Sequence, residues 1–349
     1  MNETEYTTQD KEFIQNLNLD KYLDRVIEES HSISSRCKDY TIKKANDYNM
    51  KFTDSGDIKF LFTGKKLKMP IPILRTPTNF ALGQLCNKIG VPYRYLKKCI
   101  DTGKTELASE NISSWLHDYN KDLFIRTYKD KIRGILTPRY SCCDSPDILE
   151  VVDSCLPYDF VVAGHYLSEE RLHLRVREQE PLNIDGEDLY AGLTINSSDV
   201  GRSILSVKFL IYKMVCSNGL MLPQSSGVLF EQRHTGITPQ DFKEGLENSI
   251  EMFDSVKESA TKLLRNSIKE GKLSLFNSLD SLIDYVKKEV LVSEKDATEI
   301  VELFNNRVRE GRYRDNNWGL INSITEYAQK YTLEKRIEME HNAGNLLIA

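Results

Sequence analysis

The run "ILSVKFLIYKMVCSNGLMLP", residues 204–223, decides how the middle of this chain folds. It is the longest strand-type segment, and its apolar residues alternate. Leu205, Val207, Phe209, Ile211 and Val215 fall on one face, with Ser206, Lys208 and Tyr212 on the other. That alternation predicts an antiparallel sheet with one face covered rather than a parallel sheet buried on both. Asn218-Gly219 follows, the preferred centre of a two-residue corner because both positions need positive φ. The expectation is a hairpin turn there, flanked by Ser217 and Leu220. Cys216 ends the run and invites a nucleophile reading. A catalytic thiol needs a base to ionise it. His234 is the only histidine within thirty positions, and no cysteine-protease signature accompanies it. Cys216 therefore reads as a small buried thiol at a strand end.

Working outward, "RLHLRVREQE" (171–180) alternates strictly, with Leu172, Leu174 and Val176 against Arg171, His173, Arg175 and Arg177. "DLFIRTYKDKIRGILTPRY" (122–140) reads as a hairpin, strands 123–128 and 132–136 around Lys-Asp-Lys. "DIKFLFTGKKLKMPIPILR" (57–75) reads as a strand, a Gly-led turn and an extended arm, whose Pro70 and Pro72 forbid a central strand. Between these lies "TPTNFALGQLCNKIGVPYRYLKKCI" (76–100), a helical pair. Leu82, Leu85 and Ile89 share a face, Gly90 stops the first helix, and Pro92 opens the second. This is the outline of a helix-turn-helix, equally of a purely structural helical hairpin.

Both ends are helical. Residues 10–29 place Phe13, Leu17, Leu19, Tyr22, Leu23 and Val26 near helical spacing. From Thr238, an N-cap before Pro239, apolar residues recur every three or four positions. "VSEKDATEI" carries a second N-cap. The fold class expected is α+β. A central antiparallel sheet carries a helical hairpin on its N-terminal side and a C-terminal helical bundle or cap. The segments are 1–35, helical; 36–238, an α+β core; and 239–349, helical and acidic.

Of the 349 residues, 40% are hydrophobic and 28% charged, a folded, soluble composition. The start, "MNETEYTTQDKEF", lacks the layout of a signal peptide, and no apolar run is long enough to span a bilayer, so no membrane partner is expected. The seven cysteines are irregularly spaced and read as free thiols of a reducing compartment. Cys142-Cys143 with Cys155, His165 or His173 is the best zinc set, but it lacks paired ligand spacing, so no metal and no cofactor is expected. The net charge of −5 is unevenly spread. Arg36 to Arg139 holds 21 Lys and Arg against 10 Asp and Glu. A basic module is joined to acidic flanks, and local charge governs phosphate binding in screening salt. The same charge would serve to dock the module on the acidic helices.

Three sets could carry chemistry. The stripe of Arg171, His173, Arg175 and Arg177 reads as a phosphate track or as a salt-bridged face. Aromatics interleaved with charge, namely Tyr93 and Tyr95, Trp115, Tyr128 and Tyr140, suit base stacking as well as core packing. Asp185, Glu187 and Asp188 form an acidic loop that would suit either a nuclease's Mg2+ or an ordinary turn.

Four blocks stand in order: "NFALGQLCNKIGVPYRYLKKC", "LFIRTYKDKIRGILTPRYSCCDSPDIL", "LTINSSDVGRSILSVKFLIYKMVCSNGLMLP" and "NNWGLINSITEYAQKYTLEKRIEMEHNAGNLL". Together they resemble the phage/plasmid-like protein family, a domain-of-unknown-function group carried on phages, prophages and plasmids. The resemblance implies a mobile-element protein acting in the cytoplasm of a bacterial host, and it brings no catalytic residues with it. The reading expected is a non-enzymatic, oligomeric DNA-binding protein that prefers single strands in recombination or replication. Lys65, Lys66, Lys68, Arg94, Lys97, Lys98, Arg126, Arg133, Arg139, Arg175 and Arg177 would meet phosphate. Tyr93, Tyr95 and Tyr128 would stack on bases. The alternatives are an accessory protein that inhibits a host protein such as a defence component, and a metal-dependent nuclease using Asp185, Glu187 and Asp188.

Overall fold

The structure, a computed structural model, describes residues 20–43, 48–52, 58–62, 73–119, 121–213, 218–221, 227–269 and 278–347. Its α+β architecture has two sheets rather than one. The first holds β1 (Cys37–Ile42), β2 (Tyr48–Phe52), β3 (Ile58–Phe62), β4 (Ile73–Pro77), β5 (Leu123–Tyr128) and β6 (Lys131–Leu136). Their order is β1-β5-β6-β4-β3-β2, antiparallel except for the β4–β6 pair. Three helices cover one face: α2 (Asn79–Ile89), α3 (Tyr93–Asp101) and α4 (Thr105–Tyr119), following α1 (Asp20–Ser34) in chain order. Ile42, Phe60, Leu85, Leu96, Ile112, Leu116, Ile125 and Ile135 form their common core. The basic stretch of the sequence is thus a module with its own interior.

The α2–α3 corner forms as its residues dictate. The Thr78 side chain accepts the Ala81 N–H, and Gly90 takes the left-handed conformation at φ 73°. The β5–β6 hairpin carries a bulge: Arg126 faces Gly134 and Thr127 faces Ile132, so Arg133 has no opposite number. A bulge turns a side chain out of register, and this one aims Arg133 away from the helices and into the second module.

That second module is built on β7 (Phe160–Leu167), β8 (Leu172–Glu178), β9 (Leu182–Ile184), β10 (Glu187–Ser197), β11 (Leu205–Lys213), β12 (Asn218–Met221) and β13 (Val228–Gln232). The order is β12-β11-β10-β8-β7, with β9 also on β10 and β13 sharing the outer edge of β11. Leu205, Val207, Phe209 and Ile211 share the buried face as their alternation required. The corner expected at Asn218-Gly219 does not form there. Both residues lie inside β12, opposite Lys213 and Tyr212, while residues 214–217, Cys216 and Ser217 among them, lie outside the described residues.

Helix α5 (Ser145–Cys155) and the C-terminal helices α6 (Pro239–Lys269), α7 (Leu279–Val290), α8 (Glu294–Arg309), α9 (Asn317–Ala328) and α10 (Leu333–Asn345) complete the module. Thr238 caps α6, accepting the Asp241 N–H, and Ser293 caps α8, accepting that of Asp296. One apolar core runs from Leu23 of α1 through β8, β10 and β11 to Leu347. It crosses residue 238, so the C-terminal helices share an interior with the second sheet instead of standing apart. Among the described residues no helix is long and apolar enough to cross a membrane.

Candidate nucleic-acid interface

Helix α3 is short, and its two buried side chains, Leu96 and Cys99, fix which face points out. Arg94, Lys97 and Lys98 are exposed, Lys97 in an ion pair with Asp101 at 3.2 Å. Helix α4 buries Ala108, Ile112 and Leu116, which turns Leu107, Asn111 and Trp115 along a different side. Trp115 is 36% exposed, high for an indole. It meets Tyr95 edge to face, ring centroids 6.3 Å apart at 73°. Asn111 Nδ2 donates to the Tyr95 hydroxyl at 2.7 Å, fixing that ring. On α3, Lys98 lies one turn beyond Tyr95, and Arg94 lies one turn before Lys98. An aromatic pair is therefore set at the surface of a hairpin whose second helix also exposes Arg94 and Lys98. Asn111 completes a site of which the sequence marked Tyr95, Trp115 and the cations. Its signal was the four-residue spacing from Leu107 through Asn111 to Trp115.

The other expected phosphate ligands divide. Lys65, Lys66 and Lys68 lie outside the described residues. Arg139 is exposed, Tyr128 is half-buried beneath Lys129 (5.0 Å), and Tyr93 donates to Asn79 Oδ1 at 3.4 Å. Arg177 stacks on the Tyr190 ring at 4.1 Å.

Arg126, Arg133 and Arg175 are interior, which removes them from the phosphate set. Arg126 is 2% exposed and spends all five N–H donors within the protein. Nε and Nη2 grip the Asp39 carboxylate (3.0 Å each), Nη1 and Nη2 grip Asp144, and Nη1 also donates to the Asp199 carbonyl at 2.6 Å. Arg133 donates to the Glu169 carbonyl and pairs with Asp199 at 3.2 Å. The second oxygen of Asp199 takes both the N–H and the hydroxyl of Ser145. Tyr140 also belongs to this junction: its hydroxyl donates to the Ser198 carbonyl and its ring stacks on His234. So the loop Ser198–Gly201, part of a family-like block, clasps the two modules together, with Gln84 Nε2 donating to the Val200 carbonyl at 2.8 Å.

The alternating arginine stripe of β8 meets protein as well. Both faces of β8 are covered, because α10 lies over the polar one. Arg175 pairs with Glu340, which is 0% exposed, and donates through Nε to His173 Nε2 at 3.1 Å. Burial and the neighbouring guanidinium of Arg175 hold the His173 imidazole neutral, down to a pKa of about 3.

The acidic loop has separate partners. Asp185 faces Arg265 and Lys269, Glu187 faces Lys213 at 2.6 Å, and Asp188 accepts from Asn183. Among the described residues no three His, Cys, Asp or Glu side chains are placed to hold a metal ion. The zinc set is scattered likewise: Cys143 is buried, Cys142 exposed, and His165 takes up Tyr22 at 2.8 Å. Burial pushes the Cys143 thiol up to about 12 and the Cys86 thiol up to about 11, so both stay protonated at neutral pH.

A family described as "Domain of unknown function (DUF932)" matches residues 134–346, more than half of the chain, and the chain belongs to that family. No curated protein matches it. No solved structure matches it.

Proposed function

We infer that this DUF932 protein binds single-stranded DNA without catalysis, through the outer face of α3 and α4, as a phage- or plasmid-borne factor in recombination or replication. The observation that carries this reading is the Tyr95–Trp115 pair, fixed by Asn111, on a helical hairpin that also exposes Lys98 and Arg94. Stacking on a flat ring needs a base whose face is open, which a single strand offers and a duplex hides. The cations supply the salt-dependent share of affinity. The mobile-element setting rests on the four sequence blocks, and annealing by an oligomer is the activity such a face would serve.

Titration of a labelled oligonucleotide with the full-length protein at two salt concentrations tests the reading. Affinity should fall steeply as salt rises, and single strands should outcompete duplex of the same sequence. No binding at low salt, or equal binding of both forms, would overturn it.

A further inference from the structure

The tip of the β5–β6 hairpin gathers positive charge that the protein leaves unanswered. Tyr128 stands opposite Lys131 across the hairpin and opposite Cys37 on β1, and Lys129 with Asp130 makes the two-residue turn. The Lys129 N–H donates to the Arg36 carbonyl at 3.0 Å, which draws the start of β1 onto the turn. Lys38 follows in β1, opposite Thr127. Strands lie about 4.8 Å apart, so Arg36, Lys38, Lys129 and Lys131 leave the backbone within about two strand spacings of one another. All four are exposed, and among the described residues none of them is in an ion pair. Lys129 has only the Tyr128 ring beneath it, at 5.0 Å. Asp130 shares the turn, but Asp39, the residue after Lys38, is spent on Arg126, so the tip keeps a surplus of positive charge. The C-terminal helices behave differently: Lys243, Lys257, Lys262, Lys287 and Lys330 each pair with a carboxylate.

The backbone of the turn is a second observation. Lys129 sits at φ 54°, in the left-handed region. The favoured two-residue turns put a positive φ at this first position, where glycine or asparagine is the usual residue and a long side chain is strained. Strain of this kind concentrates at functional sites, where the side chain is kept for what it contacts. No large apolar side chain is exposed on the described tip, so it has nothing to insert into a lipid surface. Mobile ammonium groups around a convex turn suit the phosphates of a nucleic-acid backbone, which are held by charge without base readout.

We propose that the β5–β6 tip is a second nucleic-acid contact, in which Arg36, Lys38, Lys129 and Lys131 hold the phosphodiester backbone of a bound strand. It rests on the reading of this chain as a single-strand binder and divides the labour: Tyr95 and Trp115 take bases, and the tip takes backbone.

Titration of the full-length protein with a labelled oligothymidylate at several salt concentrations tests this. A variant combining Arg36→Gln, Lys38→Gln, Lys129→Gln and Lys131→Gln should bind at least about tenfold more weakly at low salt. Its slope of log affinity against log salt should shrink by about 0.7 for each cation that touches phosphate. Trp115→Ala should leave that slope unchanged, which separates the two contacts. Lys129→Gly should raise the melting temperature, because glycine takes this φ without strain, and yet weaken binding. Thermal melts establish that each variant is folded. Wild-type affinity and slope in the combined variant would overturn the tip and leave the α3–α4 face standing. Failure of the unaltered protein to bind any oligonucleotide would overturn both. Binding to phosphatidylserine vesicles in place of oligonucleotide would give the patch to a membrane and likewise overturn the proposal.

Discussion

Arg133, on the bulge of β6, and Asp199, in the loop after β10, form an ion pair at 3.2 Å in which both side chains are buried. The pair joins two modules that otherwise have separate apolar cores. Removing one partner strands the other charge in the interior, which typically costs about 3–5 kcal/mol. Arg133→Met should lower the unfolding free energy measured by urea denaturation by that amount. A loss under 1 kcal/mol would mean the clasp is not a stabilising contact.

Acid should destabilise the fold well before its carboxylates titrate. His173 has an ordinary value of 6.5 and a folded value of about 3, because burial and Arg175 disfavour its charged form. A depressed histidine gives stability that is complete above the unfolded value and is lost as pH falls towards the folded one. Each unit below 6.5 removes about 1.4 kcal/mol per such group. His234 and His341 are lowered by burial in the same direction. Urea melts at pH 7, 6 and 5 should show the decline, and His173→Gln should flatten it. A flat profile in the wild type would refute the assignment.

Local features were legible in the sequence wherever neighbouring residues settle them. Gly90 marked the corner of the hairpin, Thr238 and Ser293 marked helix starts, and Leu205 to Ile211 declared the buried face of β11. Asn218-Gly219 misled because the same pair also fits the start of a strand, where it pairs with Lys213 and Tyr212. The arginines misled for a different reason. Arg175 finds Glu340, 165 positions further along, and Arg126 finds Asp39, 87 positions back. Charge pairing over such separations leaves no periodicity, so three of the eleven cations read as a binding face, Arg126, Arg133 and Arg175, were mortar. In the candidate site, Tyr95, Arg94 and Lys98 were read from the sequence, whereas the Trp115 contact depends on how α4 packs on α3.

The "NNWGL" block owes its pattern to one helix start. Asn316 caps α9 by accepting the Gly319 N–H, Asn317 reaches the Leu346 carbonyl at 2.6 Å, and Trp318 is buried. A methyl group added at Gly319 would lie 1.9 Å from the Arg314 carbonyl oxygen. Gly319→Ala should therefore destabilise by about 1–3 kcal/mol, the usual cost of overpacking, despite alanine's better helix propensity. Thermal denaturation of the variant decides this.

Stacking on the proposed single-strand face should depend on Trp115 far more than folding does. Base stacking contributes about 1–3 kcal/mol per aromatic ring, so Trp115→Ala should weaken oligonucleotide binding roughly 5- to 150-fold while the melting temperature stays within about 2 °C. Arg94→Gln and Lys98→Gln should each reduce the slope of log affinity against log salt by about 0.7. Unchanged affinity in Trp115→Ala, with folding intact, would dismiss this ring as a stacking platform.

The family match begins at Gly134, one residue after Arg133 and inside the β5–β6 hairpin. Asp144 and Asp199 therefore lie within the matched segment, while the two guanidiniums that neutralise them, Arg126 and Arg133, lie before it. Gene shuffling at that joint would be constrained electrostatically. A new N-terminal module can be grafted onto this segment only if it delivers two arginines to the same place, and a graft lacking them would leave two aspartates without their counter-charges. Compatibility between swapped halves would thus be written in two arginine positions rather than in the shape of the joined surfaces.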